Sequence, residues 1–236
     1  MLKIEQLNQY YGQSQALWNL DLEVPEGECT VLMGRNGVGK TTLLKCIMGL
    51  LPVKSGSMQF AGADLLRVAA EQRAGMGLGY VPQGRQIFPM LTVEENLQIG
   101  LPVRHDRVRK VPDFIYELFP VLKEMQNRHG GDLSGGQQQQ LAIGRALVID
   151  PKLLILDEPT ANIDLRIETD IFDLLRLLNQ RMTIIVVSHD IGFISRYVDR
   201  VACLNRTLMC HRTEEIDGQT IQALYDVDVR QVAHSH

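Results

Sequence analysis

An α/β fold with a parallel central sheet is predicted by three features of the 236-residue sequence. Short apolar runs, ECTVLM at 28–33, KLLIL at 152–156 and TIIVV at 183–187, read as buried strands. Between them lie longer stretches with apolar residues at helical spacing, and strands that alternate with helices pair in parallel. Finally, 45% hydrophobic and 22% charged residues make an ordinary globular composition, ample for one large domain or a domain with an insertion.

Taken in order, KIEQLNQYY and LWNLDLEV alternate in polarity across YGQSQ and predict an N-terminal antiparallel β-ribbon. After ECTVLM and the glycine-rich GRNGVGK, TTLLKCIMGLL (41–51) predicts a helix that stops before Pro52. GLGYVPQ (77–83) reads as another short strand and its exit. From Gly84 to Leu147 the texture turns helical, in LTVEENLQIG, VPDFIYELFPVLKEM and GGQQQQLAIGRAL, with turn residues or prolines between. Glu94 and Glu95 suit the first turn of a helix better than chemistry. Between KLLIL and TIIVV, Ile167, Ile171, Leu174, Leu175 and Leu178 line one helix face. The expected organisation is a core of 1–83 and 148–236 with a helical subdomain, 84–147, inserted into it.

The formal net charge of -4 recommends no broad basic surface, so nucleic acid is not an expected partner. No 18-residue apolar stretch and no charged-then-apolar leader occurs, so work at a membrane is expected to go through a partner. Four scattered cysteines without a CxxC pair read as reduced, mostly buried thiols. CLNRTLMCH brings Cys203, Cys210 and His211 close in sequence, which leaves a zinc site as a minor option, and the tail adds His234 and His236.

The first chemical signal is Gly34-Arg-Asn36-Gly37-Val-Gly39-Lys40-Thr41, which matches GxxxxGK[ST] between an apolar strand and a helix. Glycines let the backbone wrap a polyphosphate with its N–H groups inward. The helix that follows adds the positive end of its dipole, and Thr42 belongs to its first turn. Lys40 supplies a full charge to the β and γ phosphates, and the Thr41 hydroxyl can reach Mg2+. A second signal is KLLILDE. A buried strand ending in two carboxylates needs something for them to face. Beside a phosphate loop, Asp157 would hold Mg2+ through water and Glu158 would polarise the attacking water. The predicted cofactors are ATP and Mg2+.

LSGGQ at 133–137 narrows the choice among phosphate-loop proteins, and with it the sequence resembles the ATP-binding subunits of ABC transporters. The resemblance covers nearly the whole chain. It implies the P-loop ABC ATPase fold and gives roles to further residues. Tyr11 stacks on adenine; Gln83 of YVPQ contacts the metal and links nucleotide to the helical insertion; His189 of VVSHD contacts the γ-phosphate. Ser134, Gly135, Gly136 and Gln137 contact the γ-phosphate held by a second copy or a paralogous subunit, in a head-to-tail dimer that Asp164 helps to bridge. Ser134 is also a good N-cap on physical grounds. Where relatives often carry Arg soon after LSGGQ, Gln137–Gln140 run on, read here as tolerated rather than catalytic; Gly144 marks close packing. The implied partners are ABC permease membrane subunits, with the chain peripheral on the cytoplasmic face of the membrane.

Two subfamily patterns meet near Thr160 and Ala161. Residues 1–160 resemble urea importer ATPases, relatives of the branched-chain amino-acid importers, whereas 161–236 resemble zinc and manganese importer ATPases. The expected cargo is urea or amino acids, because the permease-facing 84–132 region lies in the first pattern; zinc or manganese is the alternative. A DNA-end or ribosome ABC ATPase would need coiled-coil arms or tandem cassettes, a scaffold would lose Glu158 or His189, and a phosphate-loop kinase would lack LSGGQ.

Overall fold

A computed structural model describes residues 1–104, 106–161, 163, 165–188, 198–205 and 207–212. In chain order the elements are β1 (Leu2–Tyr11), β2 (Ser14–Val24), β3 (Cys29–Met33), α1 (Lys40–Ile47), β4 (Ser55–Phe60), β5 (Ala63–Asp64), α2 (Ala70–Gly75) and β6 (Leu78–Val81). They continue with α3 (Val93–Gln98), α4 (Asp113–Leu118), α5 (Pro120–Glu124), α6 (Gly135–Leu147), β7 (Leu153–Asp157), α7 (Leu165–Asn179), β8 (Thr183–Val187), β9 (Arg200–Asn205) and β10 (Thr207–Arg212). Backbone contacts divide the chain into two compact units, Met1–Arg67 with Ile185–His236, and Val68–Ile184.

In the first unit, the alternating N-terminal runs form the expected ribbon. β1 pairs antiparallel with β2 and, on its other side, with β4, and Leu2, Ile4, Leu7, Leu17, Leu20 and Leu22 are buried. A register shift between Ile4 and Leu7 accommodates Gln6, whose φ is 52°. A second sheet places β9 parallel to β3 and antiparallel to β10. All five residues of β3 are buried, which is why this strand reads as a mostly apolar run, broken only by Thr30, rather than an alternating one. Helix α1 ends at Ile47 rather than at 51. Gly49 takes a φ of 74°, and the Gly49 and Leu50 amides turn back to the Cys46 and Lys45 carbonyls, a left-handed stop inside the apolar run.

In the second unit, β6 and β7 pair in parallel, with Tyr80 opposite Ile155 and Val81 opposite Leu156. The helical stretch from 84 to 147 carries α3 to α6. Thr92 caps α3 reciprocally: its Oγ1 accepts the Glu95 amide at 3.2 Å, and Glu95 Oε2 accepts the Thr92 amide at 2.7 Å. Glu95 is therefore a capping residue, as its place in TVEEN predicts. Pro120 cannot continue a preceding helix and instead opens α5 directly after α4. Of the expected α7 face, Ile171, Leu175 and Leu178 are buried, and Phe172 joins them.

Candidate nucleotide site

The first unit carries the phosphate loop. β3 delivers the chain at Met33, and α1 starts at Lys40. Two glycines are required by space as well as by φ. At Gly34, with φ 147°, a Cβ would sit 2.3 Å from the Leu204 carbonyl oxygen; at Gly39, with φ 110°, it would meet Leu17 Cδ2 at 2.8 Å. Asn36 and Gly37 stand exposed at the loop tip. Gly39 is the N-cap of α1 and has no side chain to engage the first amides, and the opening turn Lys-Thr-Thr carries no acid. A helix start so arranged favours an anion. The Lys40 side chain is buried against the loop and donates to the carbonyls of Gly34 at 2.7 Å and Arg35 at 3.0 Å. Its ammonium thus lies within the loop that would wrap a phosphate. Thr41 is half-buried, and the Thr42 hydroxyl lies 3.2 Å from that of Tyr11, whose ring is half exposed at the end of β1.

The second unit holds the carboxylates and the LSGGQ helix. β7 ends in Asp157, which is only 2% exposed, and the next residue, Glu158, turns out of the strand with a left-handed φ of 49°. That conformation costs about 1–3 kcal/mol for a residue with a Cβ, and strain of this kind gathers at functional sites. The Gln83 amide donates to Glu158 Oε2 at 2.7 Å, bringing together two predicted residues 75 positions apart. Ser134 caps α6: its amide donates to Gln137 Oε1 at 2.9 Å and its hydroxyl accepts the Gln137 amide at 3.4 Å. Gly135 and Gly136 form the first turn. A Cβ at Gly136 would lie 2.3 Å from Ile167 Cδ1, so this glycine admits α7 closely.

The glutamine run has structural tasks. Gln137 completes the cap, Gln138 donates to the Leu133 carbonyl at 3.1 Å, and Gln139 is buried. Gly144 marks close packing as expected: a Cβ there would press on Leu97 at 3.2 Å and Leu122 at 3.5 Å.

Asp164 and His189, the remaining predicted site residues, lie outside the described residues, as do His234 and His236. Cys203 and Cys210 fall on β9 and β10, with Cys210 opposite Ala202 and His211 opposite Val201. Among the described residues no three His, Cys, Asp or Glu side chains gather into a metal site.

Three residues here escape sequence reasoning. Asn96 is fully buried on α3 and holds the loop before it, accepting the Phe88 amide at 2.9 Å and donating to the carbonyls of Phe88, Leu91 and Thr92. Arg145 donates from α6 to the Gln86 carbonyl at 2.8 Å and lies over the Phe88 ring. Arg85 rests its guanidinium on Gly135. Gly84, Arg85 and Gln86 are three consecutive residues with positive φ, so the segment leaving Gln83 is tightly coiled and fastened to α6. The signal for Arg85 and Gln86 lies in contacts from far along the chain, not in the local pattern.

Comparison with known proteins agrees with these motifs. A family model described as ABC transporter matches residues 17–161. The high-affinity branched-chain amino acid transport ATP-binding protein BraG of Pseudomonas aeruginosa is 38% identical over 216 residues, covering 90% of this chain and 93% of that protein. A sulfate/thiosulfate import ATP-binding protein of Nocardia farcinica is 35% identical over 87% of this chain, which spans only 62% of that longer protein. Among solved structures, a dimeric post-hydrolysis state of an ATP-binding cassette, bound to ADP and Pi, superposes with a TM-score of 0.79. It is 26% identical and covers 90% of this chain and 99% of its own. Among the described residues no helix is long and apolar enough to cross a membrane.

Proposed function

We propose, from the premise that this chain belongs to the ABC transporter family of ATP-binding subunits, that it is the ATP-hydrolysing subunit of an importer. The observation that carries the reading is the Gln83–Glu158 hydrogen bond at the acidic end of a buried strand, in a chain that also presents a phosphate loop.

In this reading Lys40 exchanges its two carbonyl partners for the β and γ phosphates, Gly34, Asn36, Gly37 and Gly39 give their backbone to them, and the exposed Tyr11 ring stacks on adenine. Thr42 steadies Tyr11 through its hydroxyl. The groups assigned to the metal, the Thr41 hydroxyl and the Gln83 amide oxygen directly and the enclosed Asp157 carboxylate through water, are hard oxygen donors of the kind Mg2+ takes, so the residues fit that ion. When bound, it neutralises charge on the phosphate oxygens. Glu158 orients the attacking water and draws on its proton, while Gln83 fixes the carboxylate's direction. Catalysis is then positioning and electrostatics, as in other phosphoryl transfers.

The capped start of α6, with Ser134, Gly135, Gly136 and Gln137, receives the γ-phosphate of a second subunit; Asp164 and His189 complete that sandwich. The helical stretch 84–147 docks on permease subunits at the cytoplasmic face of a membrane. Cargo is an amino acid or a similar small polar molecule such as urea, supported by what the P. aeruginosa relative transports and by the pattern of residues 1–160. Zinc or manganese, suggested by residues 161–236, is the second reading.

Lys40→Ala tests the assignment directly. The variant is expected to lose ATP binding, measured by titration with a fluorescent ATP analogue, and with it phosphate release. Normal turnover in this variant would remove the phosphate-loop reading.

A further inference from the structure

Tyr80 lies on β6 opposite Ile155 of β7. Its neighbour Gly79 faces α6, since a Cβ there would meet the Ala146 carbonyl oxygen at 3.2 Å and Pro151 Cβ at 3.1 Å. Strand alternation turns Tyr80 to the opposite face. Paired residues of parallel strands share a face, so Ile155 points the same way, and so does Asp157 two residues further along β7. A diagonal neighbour of this kind stands about 7–8 Å away, within reach of an aromatic side chain.

The Tyr80 hydroxyl is completely enclosed and, among the described residues, has no hydrogen-bond partner. A phenol ordinarily ionises only at about pH 10, so at neutral pH the group is a neutral O–H donor. An enclosed donor without an acceptor lowers stability, whereas phenylalanine would fill the same volume without that cost. A hydroxyl that is a liability in the ligand-free fold, and shares a strand face with a buried carboxylate, has its use in another state. Loading Asp157 with a metal supplies that state. A carboxylate that ligates a cation is ordinarily held by a hydrogen bond from behind, which decides which oxygen turns to the ion.

Resting on the reading of Asp157 as the magnesium carboxylate, we propose that Tyr80 is a positioning residue for Asp157. Its hydroxyl donates to the carboxylate when that group takes up the ion and fixes the oxygen that faces it. Tyr80 touches neither nucleotide nor metal.

The test compares the unaltered protein with Tyr80→Phe and Asp157→Asn. A fluorescent, non-hydrolysable ATP analogue is titrated in EDTA and then across a Mg2+ series, and the ligand-free proteins are melted. Tyr80→Phe should bind the analogue in EDTA as the unaltered protein does, yet need about tenfold more Mg2+ for half-maximal tightening. Its ligand-free melting temperature should be unchanged or higher. Asp157→Asn should abolish the tightening. If Asp157→Asn loses it while Tyr80→Phe keeps the full Mg2+ response, the inference about Tyr80 is overturned and the reading of Asp157 stands. If Asp157→Asn keeps the response, the metal reading itself fails. A Tyr80→Phe protein that melts lower and binds weakly even in EDTA assigns the phenol a packing role and overturns the proposal.

Discussion

Glu158 shows how a single residue can be expensive to the fold while holding the position its proposed role requires. Its left-handed φ of 49° is disfavoured for any side chain with a Cβ, yet it aims the carboxylate at the Gln83 amide, 2.7 Å away. Glu158→Gln keeps the shape and would remove the proposed base. The expected result is ATP affinity within a few-fold of the unaltered protein and a fall in phosphate release of about 10²–10⁴-fold, the range typical for loss of a general base. Lost affinity with retained specific turnover would contradict the role. A quieter residue gives a prediction on pH. Burial, and then the Asp199 carboxylate, raise the Cys29 thiol from its ordinary 9.0 to about 12. An unfolded chain would ionise this thiol above about pH 9 while the folded protein would not, so its contribution is intact below pH 9 and is lost as pH rises from 9 towards 12. Two readouts follow: falling melting temperature across that window, and Cys29 that resists iodoacetamide at pH 8 until urea is added.

At the scale of elements, α3 is held by one polar side chain rather than by apolar contacts alone. Asn96 makes four hydrogen bonds to the 88–92 backbone from a fully buried position. Asn96→Ala strands those groups, with an expected loss of about 3 kcal/mol. That corresponds to roughly 6–12 °C in melting temperature for a chain of this size. Limited proteolysis should meanwhile cut first near Phe88 and Met90. Asn96 also marks where reading the sequence stops working. An isolated asparagine on a short amphipathic helix looks solvated, and only the loop folded over it makes it a core residue. The strands were legible because burial on both faces writes itself as a continuous apolar run, and the phosphate loop, LSGGQ and the acidic strand end because each motif fixes a local backbone. The true end of α1 was not, since Leu50 and Leu51 continue the apolar spacing past the glycine that stops the helix. Neither was the link from Gln83 to Glu158, nor the face shared by Tyr80 and Asp157: both are set by the pairing of β6 with β7, which residues 77–83 alone do not specify.

For the whole molecule the expectation is that one copy does not suffice. The capped N-terminus of α6 offers the anion-binding chemistry of a helix start, and in the solved relative two cassettes associate as a dimer. Hydrolysis would dissolve such an assembly as soon as it formed, so Glu158→Gln is the form in which to look for it. With Mg-ATP this variant is expected to elute from a sizing column at twice the monomer mass, and to return to monomer when EDTA is added. Ser134→Arg in the same background places a long side chain where the opposing γ-phosphate would approach and removes the cap oxygen. The cap itself is worth only about 1 kcal/mol, so the protein should still fold and each monomer should still bind ATP at its own phosphate loop. The expected outcome is therefore a monomer that binds ATP with unchanged affinity and never dimerises. A Ser134→Arg protein that still dimerises on Mg-ATP would mean that the α6 start lies outside the interface, and the second-copy role of LSGGQ would have to be given up. A monomer that has also lost ATP would point instead to a defect reaching the phosphate loop, which the melting curve of the same sample would reveal.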